Sequence, residues 1–211
     1  MILTGQVQSG FRRLVSEDYT PRCSYGFRIG LAIMSVLLLL VAASGLRAQG
    51  SKPTDYDVKA VYLYNFVHFV EWPASVTTAK KDSFTVCVLG EDPFGPVLDT
   101  ALAGETIGGK SVLAERISNP QESGDCQILF LSSAEEVRLS KILEALNQHA
   151  VLTVSDIPHF SQRGGMIQFV TEGKKVRFEI NIAAVKNAGL TLSSDLLKVA
   201  TTVRNSSSFR D

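Results

Sequence analysis

Three polar side chains, Arg177, Glu179 and Asn181, alternate with Val176, Phe178 and Ile180 in the run VRFEIN. Successive strand side chains point to opposite faces, so this spacing gathers the three polar groups on one side and the three apolar ones on the other. A guanidinium and a carboxylate two positions apart can make charge-assisted hydrogen bonds to a partner. The functional reading is a recognition surface; an exposed edge face or an internal ion pair fits the same triplet. Just upstream, Gly164 and Gly165 permit a turn that residues bearing a Cβ resist, and Met166 offers a plastic, polarizable contact. A tight turn alone also explains the glycines.

Other constellations carry less. Gly90 to Gly95, GEDPFG, follows an apolar run and opens a helical pattern, which is where phosphate-binding loops sit. It lacks the G-x-G-x-x-G spacing and the Lys of a P-loop, and Glu91 and Asp92 repel anions. A capped helix start, with Asp92 taking backbone donors and Pro93 in the first turn, accounts for it better. His68, His149 and His159 stand in no ligand spacing, so no metal site is predicted. No G-x-S-x-G elbow is present. Neither a cofactor nor a catalytic residue is predicted.

The elements that must position these residues follow from periodicity. Thr54 or Asp55 caps a helix to about Val70, ended by Trp72-Pro73. Val58, Tyr62, Phe66 and Phe69 repeat at helical spacing while Tyr64, Val67 and Val70 project elsewhere, so this helix is covered on two sides, by a partner or within one domain. Strands FTVCVL, KSVLAERI, CQILFL and VLTV alternate with helices from Pro93 to about Leu102 and, behind a Ser133/Glu136 capping box, to about Asn147. The runs MIQFV and KVRFEINI flank Glu172-Gly173 as a hairpin. Leu196, Val199, Ala200 and Val203 predict a last helix. The expected fold is a three-layer α/β domain, with a mostly parallel central sheet, an antiparallel hairpin at one edge and helices on both faces.

The amino-terminal stretch reads as an address. Arg12, Arg13, Arg22 and Arg28 lead an apolar run from Ile29 to Ala43, shorter than the about 20 residues a bilayer span needs. A signal peptide over 1–48, cleaved on export, is predicted; a retained signal anchor is the alternative. A linker over 49–55, a domain over 56–204 and a disordered tail over 205–211 follow. Export to the periplasm, soluble after cleavage, is the expected location. Lys+Arg and Asp+Glu are 21 each in the whole chain; without residues 1–48 they become 16 and 19. This mildly acidic remainder has no basic stripe for displacing counterions, which excludes nucleic acid. Cys23 leaves with the signal. Cys87 and Cys126 remain, either as one disulfide or as two buried thiols in apolar strands.

In order, VKAVYLYNFVHFVEWP, CVLGEDPFG, CQILFLS, VLTVSD, RGGMIQFV, VRFEINIAA and SSDLLKVA resemble the YfiR-like family of periplasmic proteins, from about Val58 to Val203. The resemblance implies a small α/β domain, often a homodimer. Such a domain represses an inner-membrane diguanylate cyclase, or a similar membrane receptor, through its periplasmic region and so lowers cyclic di-GMP signalling. A periplasmic small-molecule sensor without a cyclase partner is the alternative. The cysteines match the family's strand positions, which favours the Cys87–Cys126 disulfide. Some members carry a further cysteine pair where this chain has Ser161 and Gln168, so redox control through that pair does not transfer. The FEIN glutamate matches Glu179 and the GGM turn matches Gly164 to Met166. With Arg177 and Asn181, these positions, Gly165 included, are the candidate partner contacts.

Overall fold

The computed structural model describes residues 52–74, 83–147 and 149–205. The signal peptide, the first part of the linker and the tail beyond 205 lie outside the described residues. The first helix, α1 (Asp55–Phe69), begins at a capping box: the Thr54 hydroxyl accepts the Asp57 N–H while the Asp57 carboxylate accepts from Thr54. Its Ala60, Leu63, Phe66 and Val67 are buried. At Val70 the chain turns extended and forms β1 (Val70–Glu71), which pairs antiparallel with β9 (Thr191–Leu192).

The main sheet has eight strands: β2 (Ser83–Leu89), β3 (Thr106–Ile107), β4 (Lys110–Ile117), β5 (Ile128–Leu131), β6 (Leu152–Ser155), β7 (Ile167–Glu172), β8 (Lys175–Asn181) and β10 (Thr202–Arg204). Their spatial order is β10-β8-β7-β6-β5-β2-β4-β3. Strands β4, β2, β5, β6 and β7 run parallel; β8 returns antiparallel to β7. Helices α2 (Pro96–Leu102), α3 (Leu139–Ala145), α4 (Ile182–Asn187) and α5 (Ser194–Val199) complete the fold.

Strand alternation divides the core in two. One face carries Val86, Val88, Ile128, Phe130, Leu152, Val154, Ile167, Phe169, Phe178 and Ile180 against α1, Leu98 and Leu102 of α2, and Leu196 of α5. The other carries Cys87, Leu89, Leu129 and Leu131 against Leu139 and Ile142 of α3, with Ile157 and Phe160 from the loop after β6. Helices therefore lie on both faces, as the alternating apolar runs require. Cys87 and Cys126 form a disulfide in this second core, Cα to Cα 5.8 Å.

Several boundaries differ from the sequence reading. Helix α2 starts at Pro96 rather than Pro93 because Gly95, at φ +53°, lies in the left-handed region, and Asp92 closes a local turn onto the Phe94 N–H at 2.8 Å. Ser132, not Ser133, caps the next segment, which winds as a 3-10 helix over Ser133–Arg138 before α3. The last helix ends at Val199; Val203 lies in β10, which pairs parallel with β8. The hairpin's outer edge is thus covered by β10, one strand in from the sheet edge. Asn181, read as the end of a strand, also caps α4 by accepting the Ala184 N–H at 3.2 Å.

Candidate functional site

Register explains why polar groups collect on one part of the second face. Leu89, Leu131, Ser155, Gln168, Glu179 and Thr202 form one row across β2, β5, β6, β7, β8 and β10. Cys87, Leu129 and Thr153 begin the neighbouring row, which continues through Met166, whose carbonyl accepts the Asn181 N–H at 2.8 Å, to Asn181 and Arg204. Each row is apolar under α3 and from β6 onward is polar except at Met166. The apolar cover stops with it: Arg177 is exposed, and Val170, Glu179, Thr202 and Arg204 are partly exposed.

At the centre of this polar half-face, the Glu179 carboxylate accepts a hydrogen bond from the Ser161 hydroxyl at 2.9 Å and a longer one, 3.5 Å, from the Arg204 guanidinium. The Ser161 N–H donates to the Gln168 side-chain oxygen at 3.1 Å, and the Ser161 hydroxyl oxygen, whose one proton goes to the nearer Glu179 carboxylate, lies 3.2 Å from the same oxygen. The Asn181 side chain donates to the Ser161 carbonyl at 2.9 Å. Arg204 Nε is buried without a hydrogen-bond partner in the structure. Arg177, opposite Val170 on the hairpin, ion-pairs with no described residue. The face therefore presents one carboxylate between two guanidiniums, a pattern suited to ion-pair recognition. It is not a nucleophile and base, because Ser161 is wholly buried.

The predicted residues consequently separate. Glu179 and Arg177 face outward on one strand. Asn181 is 1 % exposed and fastens Ser161, Met166 and α4 together. Gly164, at φ +101°, needs the freedom of glycine, whereas Gly165 is required by space: a Cβ there would meet the Phe160 ring at 2.1 Å. Gly164, Met166 and Asn181 border a cleft of about 460 Å³ between α3 and α4. Ser161, Gln168 and Arg204 complete the Glu179 network and were not among the predicted contacts. Of these, only Gln168 carried a sequence signal, that of parity, since Thr153, Ser155 and Gln168 are the polar members of apolar strands and share the face of Glu179.

The carboxyl ends of the parallel strands are closed by the protein's own side chains. Beyond β2, Gly90 lies so close under Glu135 that a Cβ would meet the carboxylate at 2.6 Å. Glu135 is 5 % exposed and accepts from Arg138 Nε at 2.8 Å. Beyond β6, Asp156 accepts from Lys59 at 2.6 Å and from the Tyr56 hydroxyl at 2.9 Å, both on α1. Burial, then the Asp156 hydrogen bond and charge, push the Tyr56 hydroxyl up to about 12. Asp92 and Asp99 are bound to Arg116 at 2.9 and 2.6 Å, which holds the Asp99 carboxyl below its ordinary value. Among the described residues, no three His, Cys, Asp or Glu side chains gather as a metal site, and no helix is long and apolar enough to cross a membrane.

A family model described as YfiR/HmsC-like matches residues 56–201. Among solved structures, a conserved domain protein from Vibrio cholerae O1 biovar El Tor strain N16961 superposes with a TM-score of 0.50 at 10 % identity, over 73 % of this chain. The chain spans 62 % of that protein's length, and at this identity the likeness concerns the fold alone.

Proposed function

Because the chain belongs to the YfiR/HmsC-like family, we propose that it is a periplasmic regulatory binding protein that represses an inner-membrane diguanylate cyclase or similar receptor. The observation that carries this reading is the polar half-face, where Glu179 sits between Arg177 and Arg204 and the apolar cover stops. A binding regulator needs no reacting group. It needs a preference for one conformation of its receptor, and it shifts the population by that difference in affinity. Moving a two-state receptor from 1:99 to 99:1 takes about 5.5 kcal/mol, within reach of an ordinary protein interface. A second copy of the chain is the other partner the family implies.

Arg177→Glu is the cleanest test, since this side chain is exposed and outside the hydrogen-bond network. Glu179→Lys would set a cation against Arg204 and disturb β10 as well. With Arg177→Glu, the melting temperature should stay at the wild-type value. Recovery of the membrane receptor from native membranes should fall about tenfold or more, since a like charge now faces the partner. Wild-type recovery would remove this face from the interface. The cleft beside Met166 favours a second reading, a sensor for a small molecule, because about 460 Å³ matches ordinary ligand sites.

A further inference from the structure

We infer that the cleft between α3 and α4 is an effector site for a small organic cation with an apolar body, and that Asn181 couples it to the Glu179 face. Leu143 and Leu146 form one wall, Ala184 and Ala188 the other, and Met166 lies between them. These surfaces supply apolar contact without a charge. The Thr153 hydroxyl accepts the Met166 N–H at 3.2 Å, which leaves its proton to donate to a ligand. Glu144 is the one ionisable side chain on the rim; no Lys or Arg lines the cleft, and Glu144 joins no ion pair among the described residues. A carboxylate over apolar walls selects for a cation and against anions such as nucleotides or phosphates.

The coupling is built from shared bonds. Asn181, itself part of the cleft lining, holds the Met166 carbonyl at 2.8 Å, caps α4 at 3.2 Å and donates to the Ser161 carbonyl at 2.9 Å. Ser161 in turn donates to Glu179 at 2.9 Å. A ligand that separates Met166 from α4 must move Asn181, and with it the group that orients Glu179. Differential binding between the two arrangements is what would make the ligand an effector. The coupling deepens the partner-binding reading and rests on it; the cleft does not.

The test is a titration of 15N-labelled protein with benzylamine and, separately, with benzoate, which has similar bulk and opposite charge. Benzylamine should give saturable amide shifts at Thr153, Met166, Ala184 and Asn187 with a millimolar Kd, and benzoate should bind about fivefold more weakly or worse. Glu144→Gln, an exposed change, should shrink that preference to within about twofold. The Glu179 amide should shift with the cleft amides in the wild type, and in Ser161→Ala only the cleft amides should. Absence of saturable shifts at the four cleft positions, or equal binding of benzoate, overturns the site. Cleft binding with a still Glu179 overturns the coupling. Failure of the partner reading is read separately, from unchanged receptor recovery with Arg177→Glu.

Discussion

Removing the Cys87–Cys126 crosslink should lower stability by an amount the chain itself sets. The bond closes a loop with a sequence separation of 39 residues. In the chain-entropy account that confinement removes about 13 cal/mol/K from the unfolded state, or about 4 kcal/mol at 25 °C. The two cysteines are 0 % and 2 % exposed, so replacing both with Ala adds a packing loss of about 1 kcal/mol or more, whereas reduction alone does not. For a domain of this size each kcal/mol moves the melting temperature by about 2–4 °C, which predicts a fall of about 10 °C on reduction. Burial of both sulfurs means reduction must be done on unfolded protein, followed by refolding with the thiols blocked from pairing. Thermal unfolding followed by circular dichroism, on oxidised and reduced samples in parallel, reads the difference. A total stability of about 5–15 kcal/mol leaves the reduced protein folded at 25 °C. A shift under about 2 °C would refute the reasoning, because the crosslink would then confine an ensemble that is already compact.

Two further outcomes test the closed carboxyl end of the sheet. Asp156→Ala strands the Lys59 ammonium, whose side chain is 8 % exposed, and should cost about 3–5 kcal/mol in urea denaturation; Lys59→Met with Asp156→Leu should recover most of it, and equal losses in both would contradict a buried pair. The Tyr56 hydroxyl, raised from 10.0 to about 12, keeps its proton in the fold after the unfolded chain has lost its own. Its contribution is complete below pH 10 and disappears as pH rises toward 12; Tyr56→Phe should flatten that stretch of the stability curve, and an unchanged slope would reject it.

Where the sequence carries one dominant period, the fold was legible in it. KSVLAERI is β4 residue for residue, and the apolar runs FTVCVL, CQILFL and VLTV are neighbouring parallel strands. Errors arose where a tertiary strand pairing or a local backbone preference overrode the period. Leu196, Val199, Ala200 and Val203 fit a helix on paper, yet pairing with β8 draws Thr202–Arg204 into the sheet, and Val199 is left 61 % exposed. Gly95 stops a helix that Pro93 would allow to start. At the site, the parity of VRFEIN placed Arg177 and Glu179 on one face, and the described register agrees. Missing from that reading was Arg204, because it reaches Glu179 through a strand pairing between segments 25 residues apart, which no local pattern encodes. Ser161 was likewise invisible as a partner, since only tertiary packing brings its loop over β8.

The placement of the open polar surface is itself an argument about function. Parallel α/β sheets take ligands at the carboxyl ends of their strands, where the strand order reverses. Here the chain leaves β2 for β4 on one side and then returns to β5 on the other, so the reversal lies at the ends of β2 and β5. That position is filled by Glu135 over Gly90, with Arg138 on the carboxylate, while Lys59 and Tyr56 take up Asp156 beyond β6. These side chains hold α1 and the loops to the sheet. Polar capacity reappears at the side, on β7, β8 and β10, where a row that is leucine under α3 becomes Gln168, Glu179 and Thr202. One carboxylate between two guanidiniums, one of them outside any described ion pair, beside an edge strand suits recognition of another macromolecule by charge. On the proposed function, the doubly wound scaffold is kept while the partner-binding surface lies on the flank of the sheet, at β8 and β10, rather than at the strand ends.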